Sequence, residues 1–194
     1  MMKVAGVTFV LMLASVSWAQ QQVRFGSEVD VERAVNVPKV FVSLLTPEDR
    51  WRLRECQKDA TPYSSRQKNL LDHFVGSVVD VRNVKIMVVQ GRTMCFQGAH
   101  NTQFWVLAKS RKASAGAYKK LFEIRGDGFQ VDAKAGETYP DLYTFSHTAI
   151  EGFESTFGYS RGIYRQKSCY VFPLGEDPPT RRIRCSKYNS EFRH

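Results

Sequence analysis

From Ser77 onward the chain is a series of short apolar segments separated by very few residues. "SVVDV" and "VKIMVVQ" flank Arg82-Asn83, and "FWVLAK" comes soon after. "YKKLFEI" and "FQVDA" flank "RGDG"; "DLYTFSHTA", "GFESTFGYS" and "GIYRQKSCYVF" complete the series. Polar and apolar residues alternate along the later segments, the period of a strand with one face buried. Asp-Gly tolerates the positive φ of tight two-residue turns, so "RGDG" predicts a hairpin. Parallel pairing needs a crossover of a dozen or more residues, which these connections lack, so the strands pair antiparallel. The pattern predicts a β-meander of roughly six to eight strands.

Ahead of the meander the signals are helical. Residues 20–36 are polar and weakly patterned and read as a flexible leader. "VPKVFVSLL" suits a short helix or a strand. In "TPED", Thr46 is a candidate N-cap, Pro47 suits the first helical position, and Glu48 and Asp49 favour the positive end of the helix dipole. That helix would run to about Cys56. A second start lies in "SSRQKNLLDHFVG", where Ser64 and Gln67 form a capping-box pattern. Leu70, Leu71, Phe74 and Val75 would make its apolar stripe, with Gly76 as the stop. The expected fold class is α+β, with N-terminal helices followed by an antiparallel β-meander sheet. One globular domain would span 37–180 and a basic C-terminal tail 181–194.

The first residues predict export. Lys3 precedes an apolar run from Val4 to Val16, and Ser17 and Ala19 occupy the small-residue positions of a signal-peptidase site. The run is short for a membrane span. Cleavage near Ala19 would separate a signal peptide, 1–19, from a periplasmic or secreted chain. The formal charge is +9, of which Lys3 is the only charge before the cut. The exported part is therefore strongly basic and favours anionic surfaces. Hydrophobic residues make up 43%, which fits a globular chain with a core.

Four cysteines, Cys56, Cys95, Cys169 and Cys185, read as two disulfides in an exported chain. Three pairings are possible. The local one is Cys169–Cys185 with Cys56–Cys95; a crossed one is Cys56–Cys169 with Cys95–Cys185. No pair has the Cys-x-x-Cys spacing of a zinc site, and no metal or cofactor is expected.

"CFQGAHNTQFW", Cys95 to Trp105, gathers a Cys, a His and an Asn, the residue types of a cysteine hydrolase. Catalytic partners usually come from distant segments, so this stretch reads as a disulfide cysteine entering a turn, with Gly98 and Asn101 supplying turn geometry. "RGD", Arg125 to Asp127, spells an adhesion tripeptide at the expected hairpin tip; the motif is short and common. "GDGFQVD" lacks the regular acidic ligands of a calcium loop. His147, with Asp141, Glu151 and Glu154 near it in sequence, has the composition of an acid–base site but reads first as a hydrogen-bonded structural histidine. Two basic clusters read first as solvated loops and second as a polyanion site. One runs from Lys109 to Lys120 and includes Lys119; the other is Arg181, Arg182, Arg184 and Lys187, with Tyr118 and Tyr188 as stacking candidates.

"VKIMVVQGRTMCFQGAHNTQFWVL", "YPDLYTFSHTAIEGFES" and "GYSRGIYRQKSCY" resemble uncharacterised exported bacterial domains built on a β-meander, over about residues 84–170. In such domains a second Cys often stands where this chain has Thr102. The resemblance implies that Cys95 has lost a local partner and favours the crossed pairing. "PDL" and "GIY" also resemble fragments of integrin-type FG-GAP repeats without their calcium ligands. "YSRGIY", Tyr159 to Tyr164, is similar to a loop of periplasmic lysozyme inhibitors, which implies Ser160, Arg161 and Tyr164 as partner-binding residues. The positive charge opposes a basic lysozyme as target, because like charges slow and weaken encounter.

The sequence thus predicts an exported, non-enzymatic binding module of the cell envelope or secreted space. Its expected partner is an anionic envelope polymer or a protein, with nucleic acid less favoured. The second expectation is an inhibitor of a cell-wall hydrolase. The third is a hydrolase using Cys95 or His147.

Overall fold

The computed structural model describes residues 21–26, 31–58, 69–81, 84–98, 101–110, 117–134, 137–174 and 180–186. The signal segment, the Ser64/Gln67 capping pattern, Arg82-Asn83, His100, Lys187 and Tyr188 lie outside them. The described strands are β1 (Gln21–Gly26), β2 (Phe74–Val81), β3 (Val84–Gly91), β4 (Gln97–Gly98), β5 (Asn101–Ser110), β6 (Lys119–Gly126), β7 (Gly128–Ala133), β8 (Asp141–His147), β9 (Glu151–Ser160), β10 (Ile163–Pro173) and β11 (Arg181–Ile183). The described helices are α1 (Phe41–Leu44) and α2 (Pro47–Lys58), with a 3-10 turn at Leu70–His73.

The α+β expectation is overturned. The fold is mostly β, built from two antiparallel sheets, and its two described helices do not form a helical half. Sheet A has the order β1-β7-β8-β9-β10-β11; sheet B has the order β2-β3-β5-β4, with β6 also on β5. The second expected helix is replaced by strand. Asn69 accepts from the Leu71 amide, and its own amide bonds Asp72, so the cap holds only one turn. Phe74 is already extended and opens β2. Gly76 stops nothing: it exchanges both backbone hydrogen bonds with Val35. The segment read as a flexible leader contributes β1, in which Val23 and Phe25 are buried and Arg24 is exposed. The helix start at Thr46 does form: its hydroxyl accepts from the Asp49 amide at 3.1 Å and donates to the Asp49 carboxylate at 2.8 Å.

"RGDG" is a corner, not a hairpin. β6 pairs with β5 in sheet B, whereas β7 pairs with β1 and β8 in sheet A. The chain changes sheets at Asp127. A Cβ on Gly126 would lie 2.7 Å from the Phe145 carbonyl oxygen, so the corner requires a glycine there.

One core lies between the sheets. Val79, Ile86, Val88, Phe104 and Val106 of sheet B meet Phe25, Phe129, Val131, Leu142 and Phe157 of sheet A. A second lies on the other face of sheet B, where Met87, Val89, Trp105 and Leu107 pack against Phe41, Leu45 and Leu53 from the helical segment. Sheet B is therefore covered on both faces, which explains why β3 and β5 read as near-continuous apolar runs. Sheet A has one such cover. Among the described residues, no element packs on its outer face.

Candidate ligand-binding face

Cys95, of the stretch that gathers a Cys, a His and an Asn, lies in a disulfide. Cys95 Sγ is bonded to Cys56 Sγ, and Cys169 to Cys185. This is the local pairing, not the crossed one implied by resemblance. α2 carries Cys56 over the Cys95 turn, and β10 carries Cys169 beside β11, next to Cys185. The histidine that approaches Cys95 is His73, with Nδ1 at 3.8 Å from Sγ and 2.9 Å from Thr93 Oγ1. His73 is buried, and desolvation holds it below its ordinary value, partly offset by Asp72.

His147 meets Asp127 rather than a carboxylate from its own neighbourhood. Asp127 Oδ2 lies 2.7 Å from His147 Nδ1 and accepts the His147 amide N–H at 2.6 Å. The Asp of "RGD" is thus buried inside the corner, and the tripeptide is not an exposed hairpin tip.

"YSRGIY" forms the turn between β9 and β10. Ser160 pairs with Ile163, and Arg161 and Gly162 have φ of 51° and 89°. Ser160 and Arg161 are exposed, whereas Tyr164 is a core residue whose hydroxyl donates to the Pro140 carbonyl at 3.0 Å. Burial pushes the Tyr164 phenol far above its ordinary range. Tyr164, named with Ser160 and Arg161 as partner-binding, thus presents little surface to a partner.

The basic residues fall on different sheets. Lys119 is exposed at the start of β6, and Lys120 is held by Glu123 at 2.7 Å. Glu123 lies above the ordinary carboxylate range, through burial first, with Lys120 opposing and Asp49 of α2 adding to the rise. Arg181 and Arg182 are exposed on β11, and Arg184 just after it, at the edge of sheet A that the Cys169–Cys185 bridge pins down.

The most developed surface is the outer face of sheet A, which sequence reading did not single out. Strand register builds it rung by rung. Gly128, Phe145, Glu154, Tyr170 and Arg182 stand in one line across five strands. Arg24, Gln130, Tyr143, Thr156 and Ser168 form the next. His147, Gly152 and Phe172 form a third. A Cβ on Gly152 would lie 2.3 Å from the Phe172 ring, so that ring lies over the glycine. It stacks beside Phe145, with centroids 5.8 Å apart, and Phe145 in turn stacks beside His147 at 5.8 Å. Phe145, Phe172, Tyr143 and Tyr170 are all half-buried.

A shallow cleft of about 600 Å³ opens on this face, bordered by Arg24, Gln130, Asp132, Tyr143, Phe145 and Glu154. Arg24 Nε donates to Gln130 Oε1 at 3.1 Å, which orients both side chains. Burial first, then the Asp132 and Asp141 charges, raise the Tyr143 phenol, so it remains a protonated donor. The sequence signal that could have pointed here is glycine within strands, at Gly152 and Gly158, where another group approaches the backbone closely.

Comparison with family models, curated proteins and solved structures finds no match for this chain. Among the described residues, no group of three or more His, Cys, Asp or Glu is placed to hold a metal ion. Within the same residues, no helix is long and apolar enough to cross a membrane.

Proposed function

We propose that this protein is an exported, non-enzymatic binding module that takes its ligand on the outer face of sheet A. One observation carries the reading: the half-buried aromatics Tyr143, Phe145, Tyr170 and Phe172 stand on a sheet face that no described element covers, beside a cleft of about 600 Å³. Contiguous, partly exposed aromatics ringed by polar groups mark binding surfaces. Two disulfides and a leading apolar segment with a small-residue cut site support export. The test is an amide-resonance titration of the exported chain with fractionated envelope and secreted polymers. Shifts confined to β7–β10 are expected. Shifts confined to sheet B or the helical segment would place the site elsewhere.

The hairpin tip favours a second reading, inhibition of a cell-wall hydrolase. Ser160, Arg161 and Ile163 are all exposed at the turn, Ile163 at 49%. A lysis assay with a muramidase, with and without the protein, tests it; unaltered lysis at excess protein rejects it.

A further inference from the structure

The cleft on the outer face of sheet A does not share the basic character of the chain. The protein is +9 overall, yet the cleft borders hold one cation, Arg24, and two carboxylates, Asp132 and Glu154. A polyanion would find no net positive charge at these borders, and its natural place is the arginine edge at β11 instead. The border groups are planar and mix donors with acceptors: the Gln130 amide, the Tyr143 phenol and the Arg24 guanidinium donate, and the Glu154 carboxylate accepts.

Sugar hydroxyls need this mixture, because each both donates and accepts. Adjacent hydroxyls of a pyranose match the two oxygens of a carboxylate or the fork of a guanidinium. The sugar's C–H face is apolar and weakly positive, and packs on the negative face of an aromatic ring. Phe145 and Phe172 supply such rings side by side, and Gly152 beneath Phe172 keeps that ring down on the sheet. We propose that the outer face of sheet A binds an uncharged polysaccharide, seated on Tyr143, Phe145 and Phe172 and hydrogen-bonded by Arg24 and Glu154. This rests on the reading of that face as the binding surface.

The experiment is a titration of the exported protein, followed by amide resonances and calorimetry. The probes are soluble β-1,3-glucan, β-1,4-glucan, xylan, mannan and N-acetylglucosamine oligomers, with alginate as the anionic comparison. At least one neutral glycan is expected to shift β7–β10 resonances. Its Kd should rise about tenfold or more in Tyr143→Ala, as for loss of an aromatic anchor. Raising salt from about 0.05 M to about 0.5 M should leave that Kd nearly unchanged, since no ion pair with the ligand is made. Trp51→Ala, an exposed position on α2, should bind as the wild type does. Should Tyr143→Ala fail to fold, Glu154→Gln, close to isosteric and half-buried, carries the same comparison.

The proposal is overturned if no neutral glycan shifts the face, or if binding survives both substitutions unchanged. Salt-sensitive binding of alginate alone, mapped to Arg181, Arg182 and Arg184, also overturns it. If envelope fractions shift β7–β10 while every neutral glycan is silent, the polysaccharide assignment fails and the binding-module reading stands. If neither shifts that face, both fail.

Discussion

Asp127 accepts the backbone N–H of His147 at 2.6 Å, and the same oxygen lies 2.7 Å from His147 Nδ1. The pair joins the corner between the sheets to the end of β8. The Asp127 side chain is 7% exposed, so its loss would leave the amide beside it without an acceptor in a nearly dry site. An unsatisfied buried group costs roughly 1–3 kcal/mol. Asp127→Ala is therefore expected to lower stability by about 2 kcal/mol in urea denaturation. A change within a few tenths of a kcal/mol would show that the corner does not depend on this contact. Cell adhesion through "RGD" should fail in the same protein, since the carboxylate is engaged inside the fold.

The two disulfides close loops of different length. Cys56–Cys95 spans 39 residues and Cys169–Cys185 spans 16. Restricting the unfolded chain gives about 4 kcal/mol for the longer loop and about 3 kcal/mol for the shorter. The longer one also ties α2 to the Cys95 turn, beside the aromatic cluster of Phe41, Phe74, Phe96 and Trp105. Replacing Cys56 and Cys95 together by Ser should cost more than replacing Cys169 and Cys185. Denaturation of the two double variants checks the order, and a reversed order would place more of the stability in the β11 edge.

These contrasts show which parts of the molecule the sequence displayed. The meander β7–β10 was legible because Leu142, Thr144 and Ser146 are buried while Tyr143 and Phe145 are half-buried, a plain period of two. β1 was not, because two apolar residues, Val23 and Phe25, are too few to show a period. The sheet break was hidden because a corner and a hairpin share a spelling; only the partner strands tell them apart, and those are distant in sequence. Phe74 and Val75 followed Leu70 and Leu71 at helical spacing, yet the pairing of β2 with β3 along its whole length overrode that local preference. The candidate face escaped notice for a related reason. Its residues come from five strands, and register alone gathers Phe145, Glu154, Tyr170 and Arg182 into one line.

Two ionisable groups, buried His73 and half-buried Glu123, give the protein a pH response with opposite signs. Burial lowers His73 below 6.5, with Asp72 partly offsetting, so protonation favours the unfolded chain. Its contribution is full above pH 6.5 and declines as pH falls from there towards the folded value. Burial raises Glu123 above 4.5, so the folded chain holds that proton more tightly. Its contribution is present below pH 4.5 and lost as pH rises through the folded value. His73→Gln should flatten the loss of stability on acidification below pH 6.5, and Glu123→Gln should flatten the loss on raising pH from 4.5. Urea midpoints measured across that range check both, and an unchanged profile in either variant would contradict its assignment.

The tip of the β9–β10 hairpin separates backbone preference from contact. Arg161 and Gly162 both have positive φ, the requirement of a type I′ turn whose twist suits the flanking strands. Nothing lies within 4 Å of a Cβ placed on Gly162, so a substitution there meets no neighbour. Gly162→Ala is still expected to destabilise by about 1 kcal/mol, through left-handed backbone strain alone. Arg161 bears that strain already, and Asn tolerates the conformation better than Arg. Arg161→Asn should therefore stabilise by about 0.5 kcal/mol, as a matched residue in a strained turn does. Thermal unfolding of the two variants measures both shifts, and a neutral Gly162→Ala would mean that the tip relaxes out of the type I′ form. The Arg161 variant also divides the two functional readings. Glycan binding on the outer face of sheet A should be untouched by it, whereas a hydrolase inhibitor acting through this tip would lose the cation it presents.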